Sequence, residues 1–123
     1  MTKYSLAKSA YGSTQNSTRS PRSLEYEAFS NATRALWKVH NNTQREYPDL
    51  IKALYENRRL WNFVASSVAG SENQLPDDLR ARLFYLAEFT DLHSREVVKN
   101  GSSLKPLIDL NTAVASALHE LGA

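Results

Sequence analysis

The sequence predicts an all-α protein, a compact helical bundle of about four main helices preceded by a short arm with some helical potential of its own. Three observations carry this. Apolar residues recur at three- and four-residue spacing through four separate segments. Proline stands at the start of several of them, and glycine or asparagine at their ends. No segment alternates apolar and polar residues as a half-buried strand would. The 123 residues, 41% hydrophobic and 23% charged, suffice for one core without metal or disulfide support. Residues 1–19 read as a basic arm and residues 20–123 as a single helical domain.

The first helix is expected from about Pro21 to His40. Ser20 suits its N-cap, and Pro21, with fixed φ and no N–H, suits the first helical position. Leu24, Ala28, Ala32, Ala35, Leu36 and Val39 form one apolar face, and Glu25 and Glu27 stand near the positive end of the dipole. Phe29 and Trp37 fall to one side of that face, so this helix either buries two faces or exposes aromatics. Asn41-Asn42-Thr43-Gln44 then reads as a break, or else as a polar bridge through which the helix continues. The second helix is expected from Pro48 to Ala69, with Gly70 placed to supply a left-handed cap. Its stripe runs through Ile51, Leu54, Tyr55, Trp61, Ala65 and Val68, and Arg58 interrupts it.

Pro76-Asp77-Asp78 opens the third helix, two acids complementing the dipole in its first turn. Leu79, Leu83, Leu86, Phe89 and Val97 set its face with His93 in line, while Phe84 and Tyr85 fall off it. Asn100-Gly101 ends it. Ser102 or Ser103 caps the fourth, whose stripe is Leu107, Leu110, Val114, Ala117, Leu118 and Leu121. The arm carries Tyr4, Leu6, Ala7 and Tyr11, and residues 12–18 read as a flexible linker.

Composition narrows the chemistry. Cysteine is absent, which removes disulfides, thiolate catalysis and Cys-based zinc sites. His40, His93 and His119 fall on different helices, none with a second histidine three or four residues on, and only His93 has a carboxylate there, Glu96. His93 on an apolar face is better read as a core histidine than as a ligand. No nucleophile motif and no phosphate-cradling glycine loop appears. An enzyme is not expected, and neither a metal nor another cofactor. No leader or membrane-spanning stretch is read, so the expected location is the cytoplasm. The formal charge of +2 conceals an asymmetry: residues 1–22 hold Lys3, Lys8, Arg19, Arg22 and no acid, whereas the rest holds 11 Lys and Arg against 13 Asp and Glu.

Asn57-Arg58-Arg59-Leu60-Trp61 is the most informative stretch. Asn57 and Trp61 share a helix face, and a tryptophan beside a guanidinium suits protein binding. A core Trp61 with arginines lying along its edge is the plainer reading and the one favoured by periodicity. Asn111 stands at the margin of the fourth helix's apolar face, where a hydrogen-bonded asparagine fixes register without any ligand. Asn57, Trp61 and Asn111 are therefore read as structural. Tyr4 and Tyr11 between Lys3 and Lys8 could stack single-stranded RNA, but an arm that orders on a protein or packs on the bundle fits them as well.

Taken in order, these residues resemble the FlaF family of flagellar regulators. The resemblance lies in Tyr4 and Tyr11, in Ser20-Pro21-Arg22 with Leu24-Glu25, and in Ala53 followed by Asn57-Arg58-Arg59-Leu60-Trp61. It continues through Asn73, Leu75-Pro76 and Leu79-Arg80 to Leu104 and Leu107-Ile108-Asp109-Leu110-Asn111. The chain departs from the family at Ser23, where an acidic residue is more usual. The resemblance implies a cytoplasmic protein that promotes flagellin synthesis and export, acting as a chaperone for flagellin in concert with the translational regulator FlbT. The alternative it leaves is action on flagellin messenger RNA, directly or through FlbT. Flagellin ends are amphipathic, and a bundle with an exposed apolar groove could take one as an added helix. The side chains expected to line that groove are Phe29, Trp37, Phe84 and Tyr85, with Arg58 and Arg59 at its rim.

Overall fold

A computed structural model describes residues 21–44, 46–70 and 75–122. The expected arm at residues 1–19, with Tyr4 and Tyr11, the Ser20 cap and Asn73 lie outside the described residues. Among these residues four helices are present: α1 (Pro21–Asn41), α2 (Tyr47–Ala69), α3 (Asp77–Asn100) and α4 (Lys105–Gly122). No strand occurs among the described residues.

The chain punctuation acts largely as its chemistry requires. Pro48 stands in the first turn of α2, where its missing N–H leaves no intrahelical bond unmade. Gly101 closes α3 in the left-handed conformation, φ 70°, its N–H donating to the Val97 carbonyl. Ser103 Oγ accepts the Lys105 N–H at 3.0 Å and so caps α4.

The end of α2 departs from expectation. Gly70 is extended, φ −73° and ψ 141°, not left-handed. The reason is a side chain from the next helix: Arg80 Nε donates to the Val68 carbonyl at 2.9 Å and its Nη2 to the Gly70 carbonyl at 3.0 Å. The guanidinium fork thus satisfies one carbonyl of the last helical turn, that of Val68, and the carbonyl of Gly70 just beyond it. Arg80→Ala should lower the unfolding free energy by about 1–2 kcal/mol in urea titrations followed by circular dichroism. Arg80→Lys should recover little of it, because an ammonium lacks the two-pronged geometry.

Helix directions follow from the core. The upper of two clusters joins Ala28, Phe29 and Ala32 of α1 to Leu60, Trp61 and Val64 of α2, with Ala87 of α3 and Ala115 of α4. The other joins Leu36 and Val39 to Leu50, Ala53 and Leu54, with Val97, Leu104, Leu107 and Ile108. Early residues of α1 and α3 therefore meet late residues of α2 and α4, and the bundle runs up-down-up-down. α1 lies against both α4 and α2, and α2 also packs on α3.

Between the two apolar clusters the core is polar. Asn57 of α2, Thr90 and Ser94 of α3 and Asn111 of α4 are all fully buried, and each falls between the two clusters along its own helix. Trp61 Nε1 donates to Asn111 Oδ1 at 2.8 Å, and Asn111 Nδ2 donates to Asn57 Oδ1 at 2.7 Å. Ser94 Oγ donates to the Thr90 carbonyl at 2.7 Å. Asn57 Nδ2 and Thr90 Oγ1 have no hydrogen-bond partner among the described residues. Such a waist penalises sliding of the helices, since any slip would bury these amides against methyl groups.

Two expected faces are rotated as a result. Asn111 is at the centre of the buried face of α4, not at its margin; Leu107, Ile108 and Ala115 surround it, while Leu110 and Val114 are only half-buried. On α3 the deepest residues are Ala87, Thr90, Ser94 and Val97, whereas Leu79, Leu83, Leu86 and Phe89 are intermediate.

Candidate functional site

Two surface clefts lie between pairs of helices. The first, ≈ 410 Å³, runs between α2 and α3. Ile51, Leu54 and Val98 give it apolar walls, Ser94 lies on its floor, and Arg58 and Arg59 line it from α2. Its wall residue Tyr55 is 61% exposed, and Leu92 on the outer face of α3 is 60% exposed. Arg58 is not adrift on the stripe: its Nε and Nη2 reach Asp91 Oδ1 at 3.1 and 2.6 Å. The other oxygen of Asp91 meets Arg95 Nη2 at 2.7 Å, so one carboxylate serves two guanidiniums.

The second cleft, ≈ 440 Å³, lies between α1 and α4. Its floor is made of small residues, including Ser30, Thr33, Ala115 and Ser116, with Trp37 and Tyr26 also lining it. Thr33 and Thr112 donate their hydroxyls to the Phe29 and Ile108 carbonyls of their own helices, so neither offers that proton to a ligand. The Trp37 ring has His40 at 5.5 Å edge-on and the Lys105 ammonium at 5.9 Å. Tyr26 pairs with His119 at 5.1 Å.

The residues expected to share one groove are dispersed. Phe29 is corrected outright: it is 2% exposed and packs edge-on against Trp61 at 5.4 Å, so it belongs to the core and lines no surface. Trp37 is 37% exposed but borders the α1–α4 cleft. Arg58 and Arg59 do come together, in the α2–α3 cleft. Phe84 and Tyr85 are exposed on α3. Asn57, Trp61 and Asn111 are buried and joined in one hydrogen-bond chain.

The sequence placed Tyr55 on the apolar stripe of α2, but it is exposed because the buried arc of that helix stops at Leu54; Val98 as a surface residue and Asp91 as the partner of Arg58 were passed over. The signal for Asp91 was available, since an arginine on an otherwise apolar stripe requires a carboxylate from a facing helix. His93 is half-buried rather than core; it stacks on Phe89, with Nε2 2.8 Å from the Ser103 carbonyl. Among the described residues no group of three or more His, Asp or Glu could hold a metal ion, and no helix is long and apolar enough to cross a membrane.

Fold and clefts define a small α-helical bundle with exposed apolar side chains on two adjoining helices. A family model, that of the flagellar protein FlaF, matches residues 7–118. The chain belongs to the FlaF family. Neither the curated proteins nor the solved structures compared with it gave a match.

Proposed function

We propose that this flagellar protein is a non-enzymatic, cytoplasmic regulator that binds flagellin as a chaperone, acts in concert with FlbT, and thereby promotes flagellin synthesis and export. The observation that carries the reading is the number of large apolar side chains left exposed on α2 and α3: Tyr55, Phe84, Tyr85, Leu92 and Val98. Side chains of this size left uncovered on two neighbouring helices mark a surface that another protein covers. An export substrate with amphipathic ends is suited to it: covering the apolar stripe of such an end would delay assembly until export.

Calorimetric titration of the full chain with its cognate flagellin tests this. Saturable binding of defined stoichiometry that weakens only a few-fold as salt is raised supports it, because apolar burial is little screened. Absence of binding, alone and with FlbT added, overturns it. The basic residues 1–22 favour a second reading, direct contact with flagellin messenger RNA. That binding would rest on about four phosphate contacts, fall steeply with salt, and weaken sharply on deletion of residues 1–18, which removes Lys3 and Lys8.

A further inference from the structure

The geometry points to the α2–α3 cleft as the docking surface, and to an amphipathic helix with carboxylates flanking its apolar stripe as the occupant. The inference rests on the reading that this protein binds a partner chain, and it names the surface and the partner's chemistry. A furrow between two long antiparallel helices offers ridges and grooves into which a third helix packs. Here the helices run for 23 and 24 residues. Ile51, Leu54 and Val98 supply the apolar walls, and the exposed Tyr55 would be covered by the incoming helix.

Charge selects among occupants. Two arginines and no carboxylate line the cleft. The acid at its edge, Asp91, is shared between Arg58 and Arg95, so this cluster of three carries a net positive charge. Each guanidinium presents five N–H donors in a fork that one carboxylate oxygen does not exhaust. The side chains of Arg58 and Arg95 are both well exposed, so an incoming carboxylate can reach them. The chain's own N-terminal arm is ill suited to this place, because residues 1–22 carry four cations and no acid. The α1–α4 cleft lacks these features: Arg34, the arginine lining it, donates to Asn31 of its own helix at 2.8 Å, and its floor is of small residues.

The test uses the full chain, isotopically labelled, titrated with two synthetic helical peptides that share one apolar stripe. One is flanked by Glu, the other by Lys. The Glu peptide should bind about 10-fold tighter at low salt, with the advantage shrinking as salt rises. It should perturb the amide signals of Ile51, Tyr55, Asn62 and Val98. Tyr55→Ala should weaken it about 10-fold, and Arg59→Glu should remove its advantage, both with helicity unchanged. Equal affinity for the two peptides, no binding of either, or perturbation centred on Trp37 and Ser116 overturns the proposal. So does a dimer of the free chain whose interface is this cleft. If flagellin binds and Tyr55→Ala and Arg59→Glu leave that affinity unchanged, the flagellin reading stands and this assignment falls. If the Glu peptide binds as described and flagellin does not, the reverse holds.

Discussion

Phe29→Ala should lower the unfolding free energy by about 3–5 kcal/mol, whereas Trp37→Ala should lower it by less than about 1. The two aromatics lie on the same helix and neither falls on its main apolar stripe, yet their surroundings are opposite. Phe29 is enclosed by the upper cluster, edge-on to Trp61, and its removal leaves a cavity that the rigid indole cannot collapse into. Trp37 keeps solvent on one side, and its ring contacts with His40 and Lys105 lie at the surface. Urea unfolding followed by circular dichroism separates them, since the larger loss approaches the whole stability of a domain of this size. Equal losses would mean that α1 is rolled about its axis relative to the arrangement described.

That contrast shows what the sequence could and could not convey. Both aromatics fell beside the stripe of α1 because the stripe was drawn for a helix with one neighbour. α1 packs on α4 as well as on α2, and the wider buried arc takes in Phe29 and stops before Trp37. The two differ by eight residues, about 80° around the helix axis. Helix positions themselves were legible because proline and glycine act locally: Pro48, Pro76 and Gly101 mark ends through φ and a missing N–H. Gly70 misled for the converse reason, since its conformation depends on Arg80, a residue of the following helix.

The same distinction explains the rotated faces of α3 and α4. A stripe drawn through leucines leaves out Thr90, Ser94 and Asn111, which are the most deeply buried polar residues of those helices. Periodicity scores a buried polar residue as surface, so every polar waist pulls the apparent face toward the half-exposed leucines beside it. The α2–α3 cleft was only half visible in the sequence. Arg58 and Arg59 are adjacent in the chain, but Val98 and Asp91 meet them only through packing.

The motifs that carry the family resemblance are, for the most part, architectural. Asn57, Trp61 and Asn111 build the waist, Arg58 ties α2 to Asp91 of α3, Arg80 caps α2, and Leu104, Leu107 and Ile108 fill the lower core. A resemblance resting on such residues speaks for the fold and says little about the ligand. Among the described residues of these motifs Arg59 and Asp109 are exposed, and of these two Arg59 lines a cleft.

Asn111→Ala should be as damaging as loss of a core aromatic, about 3–4 kcal/mol, though the side chain is small and polar. Its Oδ1 is the acceptor for Trp61 Nε1 and its Nδ2 the donor to Asn57 Oδ1, so one truncation strands two buried groups besides opening a void. The Asn57 amide nitrogen already has no partner among the described residues, and the substitution removes the bond to its Oδ1 as well. Replacing both amides separates polarity from volume. In Asn57→Leu/Asn111→Leu no asparagine remains to be stranded, and the substitution leaves only the indole N–H newly without a partner. The double variant should therefore be more stable than Asn111→Ala, recovering about 1–2 kcal/mol. Its helices should also be less firmly held in register, because nothing polar then opposes a slip between the two apolar clusters. Unfolding monitored by tryptophan fluorescence in a Trp37→Phe background reports on Trp61 alone. A sharp, cooperative transition in wild type against a broadened one with early amide exchange at mid-helix in the double variant is the expected pair of results. If Asn111→Ala instead unfolds within about 1 kcal/mol of wild type, the waist is not what fixes the bundle.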